Sequence, residues 1–406
     1  MASDLAVSKE GLSIPLIDFS HFLKGTPNER GEAARAVLHG FQTAGFIYLK
    51  NHPIPSKDLQ HAFSLSARFF KQPKEAKMDL SWTTPEANRG YSAPGREKVS
   101  EFKDAQQIGQ ERDAAPDLKE SYEIGREGEP GHPNQWPKEQ GDVVGFRGDM
   151  LGFFEQCRLL HVEVMRAIAV GMGLDEGFFD SFVDVGDNTL RLLHYPAVQS
   201  KVFQLNPGAV RAGAHSDYGS ITLLFQDDRG GLQVRSPTGQ FVDATPIPGT
   251  VVVNAGDLLA RWSNDTIKST IHRVVEPPRK ESDTYPPRYS IAYFCNPNFK
   301  SYIEALPGTF AAEEDKRRHC AKKTVMKKGA KPAIKARVTP PTKYAPRSDS
   351  KLAVTPSAQV SKSCNPAADV APSRNKTAFD IPMHSQHQQV NIVKNGRTKA
   401  RHGEAS

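Results

Sequence analysis

The sequence predicts a mainly β protein with flanking helices: a sandwich or jelly-roll core, followed by a basic tail. Three observations point there. Between Thr189 and Pro297, short β-rich runs alternate with Gly, Pro, Asn and Asp, the signature of many short strands joined by turns. Helical spacing of apolar residues is confined to three earlier segments. From about Ala311 the composition turns to Lys, Arg, Pro, Ser and Gln. Such a stretch cannot bury enough apolar surface to offset its ordering entropy.

The elements follow in order. Residues 14–19 (IPLIDF) read as a strand. Residues 29–44 place Ala33, Ala34, Val37, Leu38 and Phe41 at helical spacing. Gly45 stops that helix, Phe46 to Leu49 form a β-rich run, and Pro53 and Pro55 close the unit. A second helix spans residues 59–70. Residues 80–145 are rich in Pro, Gly and charge, which predicts loops over the core, interrupted by Tyr122 to Gly125. Long ordered loops usually carry function. A third helix covers residues 146–173, and strand runs follow at 190–195, 220–225, 231–234, 250–253, 267–275 and 288–295. The expected division is residues 1–145 as an N-terminal helix and strand region, 146–311 as the jelly-roll catalytic region, and 312–406 as a disordered basic tail.

Composition narrows the function classes. The formal net charge of +7 is unevenly spread: residues 1–315 carry −9 and residues 316–406 carry +16. The folded part is therefore mildly acidic, and a nucleic-acid role is expected only through the tail. The four cysteines (Cys157, Cys295, Cys320 and Cys364) show no C-x-x-C or zinc spacing. Scattered cysteines suggest reduced thiols. No signal peptide or membrane span is apparent, so a cytoplasmic protein without membrane partners is expected, with a nuclear location as the alternative that the tail leaves open.

The chemistry concentrates in two places. His215 and Asp217 stand two apart, so on an extended chain both face one side. His272 follows 57 residues later inside a β-rich run. Two His and one carboxylate on one side of a metal leave three open positions, the arrangement that non-haem Fe(II) oxygenases need for a co-substrate and O₂. A bidentate 2-oxo acid would fill two of them. Its far carboxylate needs a cation, and Arg288 lies 16 residues past His272, with Ser290 on the same strand face. Each motif alone is weak; their order and their placement on strands give them weight.

The chain resembles the 2-oxoglutarate/Fe(II) dioxygenases of isopenicillin N synthase type. The likeness runs from Ile14 to about Gly308. It rests on GFIYLKNHPIP (45–55), NRGYSAPGREK (88–98), KESYEIG (119–125), GTVVVNAGDLLARWSNDTIKSTIHRVV (249–275) and PPRYSIAYFCNPN (286–298). The resemblance implies a double-stranded β-helix with helices outside it. It implies Fe(II), 2-oxoglutarate and O₂, with succinate and CO₂ as co-products. Within the superfamily, RLLHYPAV, SITLLFQD, ARWSNDTIKST and SIAYFCNPN are similar to the fungal thymine dioxygenases (thymine-7-hydroxylases). Those enzymes oxidise the 5-methyl group of thymine. Carried over by motif, Tyr218 and Phe294 would sandwich a pyrimidine, Arg191 would bond a ring carbonyl, and Asn296 would add an amide contact. Aromatic stacking of flat rings and donors for buried carbonyls fit that assignment. Tyr195 matches a co-substrate contact of the plant relatives, whereas Leu193 stands where they carry Asn, so one polar contact is lost or made elsewhere. The family's C-terminal closing helix is not recognisable past Ala311.

Three readings stay open on sequence alone: a thymine or related pyrimidine oxygenase, a 2-oxoglutarate oxygenase of secondary metabolism, and a non-catalytic binding protein on the same scaffold.

Overall fold

A computed structural model describes residues 4–82, 89–95, 117–200, 202, 210–276, 284–306 and 309. The basic tail expected to be disordered, with Cys320 and Cys364, lies outside the described residues.

The chain opens with a hairpin, β1 (Asp4–Lys9) and β2 (Leu12–Asp18), turned at Glu10 and Gly11, both at positive φ. The first of these strands was not foreseen. Helices α1 (Ser20–Lys24) and α2 (Pro27–Thr43) follow. A capping box fixes the start of α2: the Thr26 side chain and Glu29 each satisfy the other's backbone N–H. Then come β3 (Phe46–Lys50), α3 (Ser56–Phe70), α4 (Lys74–Met78), β4 (Gly90–Ser92), β5 (Glu120–Gly125) and the long α5 (Phe146–Gly171). After α6 (Asp180–Val183) the chain is mostly strand: β6 (Thr189–Tyr195), β7 (Val198–Gln199), β8 (Ala212–His215), β9 (Ile221–Gln226), β10 (Leu232–Arg235), β11 (Phe241–Asp243) and β12 (Thr250–Ala255). A short α7 (Asp257–Trp262) interrupts before β13 (His272–Val274), β14 (Thr284–Tyr285) and β15 (Arg288–Cys295).

Nine strands form one sheet in the order β1-β2-β3-β12-β9-β15-β6-β5-β4, and four form another, β11-β10-β13-β8. This is the double-stranded β-helix architecture that the resemblance implied. The N-terminal strands are not a separate layer: β3 borders β12 and β5 borders β6, so residues before 146 complete both sides of the large sheet.

Two apolar clusters follow from strand alternation. On β15, Tyr289, Ile291, Tyr293 and Cys295 face the helices, where α5 contributes Met150, Phe153, Phe154, Cys157 and Val164. The other face looks into the barrel, where Leu193, Leu232, Val234, Val252 and Ala292 pack between the two sheets. The thiols of Cys157 and Cys295 are free and buried.

The expected strand over 267–275 is a correction: only His272–Val274 is strand. Residues before it bond sideways instead. Ile267 N–H donates to Ser263 Oγ, Lys268 N–H to the Phe41 carbonyl, and Thr270 Oγ1 to the Ala44 carbonyl. No helix among the described residues is long and apolar enough to cross a membrane.

Candidate active site

β8 and β13 run antiparallel, and their register sets His272 opposite His215. A bulge in β8 pairs Ala212 with Val274 and turns both Ala212 and His215 inward. The two imidazole centroids lie 4.3 Å apart. Each ring meets a backbone carbonyl through Nδ1: Gly213 at 2.8 Å for His215, Thr270 at 3.1 Å for His272. A carbonyl can only accept, so Nδ1 carries the proton and Nε2 is left as a bare lone pair.

Asp217 faces those lone pairs. Its Oδ1 is 3.6 Å from His215 Nε2 and 3.8 Å from His272 Nε2. Its Oδ2 accepts from Thr222 Oγ1 at 2.6 Å and from Asn254 Nδ2 at 2.8 Å. One carboxylate oxygen is thus held by protein and the other is aimed at the imidazoles. The three candidate ligand atoms lie within 4.8 Å of one another. Burial pushes the His215 imidazole down to about 3, with the adjacent His272 adding to the effect. Burial alone would raise the Asp217 carboxyl, but the two imidazoles and the bonds from Asn254 and Thr222 hold it below the usual range. Neutral imidazole and ionised carboxylate are the states that a divalent cation requires. The donor set therefore fits such an ion.

The backbone behind Asp217 is clamped as well. Asp257 N–H, at the start of α7, donates to the Asp217 carbonyl at 2.8 Å. A Cβ on Gly256 would sit 2.3 Å from the Gly219 carbonyl oxygen, so only glycine allows this approach. Replacing Asn254 by Ala should leave the fold intact and weaken Mn(II) or Fe(II) affinity about 10–100-fold, read by metal titration, because it frees the carboxylate to rotate.

The inner face of the large sheet is laid out in rows by register. Arg288 pairs with Tyr195, Ser290 with Leu193, Ala292 with Arg191, and Phe294 with Thr189. All of these except Thr189 line the cavity shared with His215, Asp217 and His272. Arg288, 1% exposed, donates from Nε to the Gly230 carbonyl, from Nη1 to Ser290 Oγ at 3.0 Å, and from Nη2 to Gln226 Oε1. Its guanidinium carbon lies 4.8 Å from the Tyr195 ring centroid. Arg191 is held by Glu123 at 2.7 Å, across β5 and β6, and lies 5.1 Å from the Phe294 ring.

The cavity thus gathers His215, Asp217, His272, Arg288, Ser290, Tyr195, Arg191 and Phe294. Tyr218 and Asn296 are not among the residues that line it. Tyr218 is half-buried, and its carbonyl accepts from Leu258 N–H. The Asn296 amide donates to the Asp187 carbonyl at 2.8 Å, and its backbone N–H to Asn188 Oδ1. Sequence reasoning missed Thr222, Asn254, Glu123 and Lys119. Thr222 and Asn254 share a register pair on β9 and β12, and Glu123 pairs with Arg191. Pairings of that kind have no local sequence signal.

Comparison with known proteins supplies the context. Residues 14–139 match the model of the non-haem dioxygenase N-terminal region named for morphine synthesis, and residues 186–297 match the 2OG-Fe(II) oxygenase superfamily. A 2-oxoglutarate-Fe(II) type oxidoreductase of Metarhizium rileyi is 36% identical over 310 residues, covering 75% of this chain and 86% of that protein. A proline hydroxylase of Petromyces alliaceus is 34% identical, over 75% of this chain and 93% of its own length. Among solved structures, full-length Neurospora crassa thymine-7-hydroxylase in complex with 2-oxoglutarate and thymine aligns with TM-score 0.72 at 71% identity, over 77% of this chain and 94% of that one. With a relative of 36% identity covered over most of its length, and a His-Asp-His group that could hold a metal ion, the chain belongs to the 2OG-Fe(II) oxygenase superfamily.

Proposed function

We propose that this chain oxidises the 5-methyl group of thymine, through 5-hydroxymethyl- and 5-formyluracil to 5-carboxyuracil, with 2-oxoglutarate converted to succinate and CO₂. The observation that carries the reading is the likeness to a thymine-7-hydroxylase solved with thymine at 71% identity, and with 5-formyluracil at 68%. Pyrimidine metabolism in the cytoplasm is the setting that this reading implies.

In this reading His215, Asp217 and His272 hold ferrous iron, which supplies O₂ activation and C–H cleavage when bound. Arg288 offers its guanidinium fork to the far carboxylate of 2-oxoglutarate, Ser290 adds a hydroxyl, and Tyr195 flanks them. Arg191 donates to a ring carbonyl while Glu123 fixes its orientation. Phe294 presents a ring face for stacking. Tyr218, just past Asp217, is the second stacking candidate, and Asn296, bonded to Asp187 and Asn188, holds the end of the strand that carries Phe294. Leu224, Leu232 and Val274 add apolar wall to the same cavity.

The test is a mass-spectrometric screen of the purified chain with Fe(II), 2-oxoglutarate and thymine, uracil, 5-hydroxymethyluracil or thymidine. Oxygenated thymine should appear together with succinate. Turnover of 2-oxoglutarate without any oxidised pyrimidine would reject thymine as the substrate. It would leave the superfamily assignment standing.

A further inference from the structure

The row of inner-face residues at the Arg288 level continues past Tyr195. On β5, Ser121 pairs with Leu193 and Glu123 with Arg191, and both belong to the inward-facing set. Lys119 precedes the Glu120–His194 pair by one residue, so the same register sets it beside Tyr195. Lys119 is 4% exposed and lines the cavity that holds His215, Asp217, His272, Arg288 and Ser290. Arg288 and Lys119 therefore flank Tyr195 from the two neighbouring strands, with backbones roughly 9–10 Å apart by strand spacing. Side chains on the concave face of a curved sheet converge, and both of these are long enough to close that gap. The three bonds that Arg288 makes go to neutral oxygens, of Gly230, Ser290 and Gln226. In the next row Leu193 offers no polar atom. Two buried cations thus line one cavity from strands on either side of β6, where low solvent access strengthens charge attraction.

We propose that Lys119 is a second cation for the far carboxylate of the 2-oxo acid, acting with Arg288 across Tyr195. This rests on the 2-oxoglutarate reading above and not on thymine. Lys119 makes the site select a diacid over a monoacid, because a 2-oxo acid with no far carboxylate gains nothing from it.

The experiment uses the full chain with Mn(II), without O₂ or pyrimidine, and measures binding by calorimetry. The ligands are 2-oxoglutarate and 2-oxopentanoate, which has the same five carbons without the far carboxylate. Lys119→Met should weaken 2-oxoglutarate binding about 10–100-fold and leave 2-oxopentanoate within about 2-fold. Lys119→Arg should retain most of the affinity. An unchanged 2-oxoglutarate affinity, or an equal loss for both acids, would overturn the proposal. Thermal melting checks that the variant folds, and Lys119→Gln repeats the comparison if the Met variant does not. A wild-type chain that binds 2-oxoglutarate but never oxidises thymine would overturn only the substrate assignment. One that binds no 2-oxoglutarate would overturn the co-substrate reading itself.

Discussion

Replacing His272 with Ala should abolish metal-dependent turnover of 2-oxoglutarate, by about 1,000-fold or more, while the protein stays folded. His272 sits on a three-residue strand beside Phe46, whose ring lies 5.4 Å away. Its Nε2 is one of two imidazole donors at the site among the described residues. Without it, one imidazole and one carboxylate remain, which cannot define the face of an octahedral ion. The stability cost is modest, because Asp217 loses one neighbouring imidazole but keeps its bonds from Thr222 and Asn254. The check has three parts: loss of labelled CO₂ release, loss of Mn(II) binding by titration, and a melting temperature within a few degrees of the parent. A variant that still released CO₂ at a tenth of the parent rate would remove His272 from the ligand set.

Arg191→Met should destabilise the fold strongly, and it should end pyrimidine binding as well. Arg191 and Glu123 form a pair at 2.7 Å with side-chain exposures of 6% and 0%. Removing the cation takes a 2.7 Å counter-charge from a buried carboxylate, which costs up to about 3–5 kcal/mol. For a domain of this size that lowers the melting temperature by about 5–15 °C. The double variant Arg191→Met with Glu123→Met separates the two effects. With both charges gone and similar volume kept, most of the lost stability should return. Thymine binding should not return if Arg191 is the donor to the ring, as proposed above. Recovery of turnover in the double variant would show that Arg191 serves the fold and not the substrate.

Much of the fold was legible because strand alternation and punctuation are local. β15 matches its sequence reading to the residue, since Arg288–Cys295 alternates between a helix-packed face and a cavity face along its whole length. The 267–275 run misled for a physical reason. Ile267, Thr270 and Ile271 have β character, but their backbone and side-chain bonds go to Ser263, Ala44 and the Arg235 N–H rather than to a long ladder. The helix α7, six residues long, was too short to show a period. At the site, His215 with Asp217 and Arg288 with Ser290 could be found because each pair stands two residues apart, and His272 because it falls in a β-rich run that the family resemblance also marks. Thr222, Asn254, Glu123 and Lys119 could not. Their parts in the site come from register between strands 32 to 76 residues apart, for which one sequence holds no signal.

The large sheet is finished on both flanks by chain made before the barrel itself. β3 borders β12 on one side, and β5 borders β6 on the other. A gene fragment beginning at the long helix would encode His215, Asp217 and His272 and yet produce a β-sheet with two raw edges, open to pairing with any neighbouring chain. The catalytic half is therefore not a portable cassette. Splitting near residue 146 should favour aggregation over a merely slower enzyme, because it strips β3 from β12 and β5 from β6.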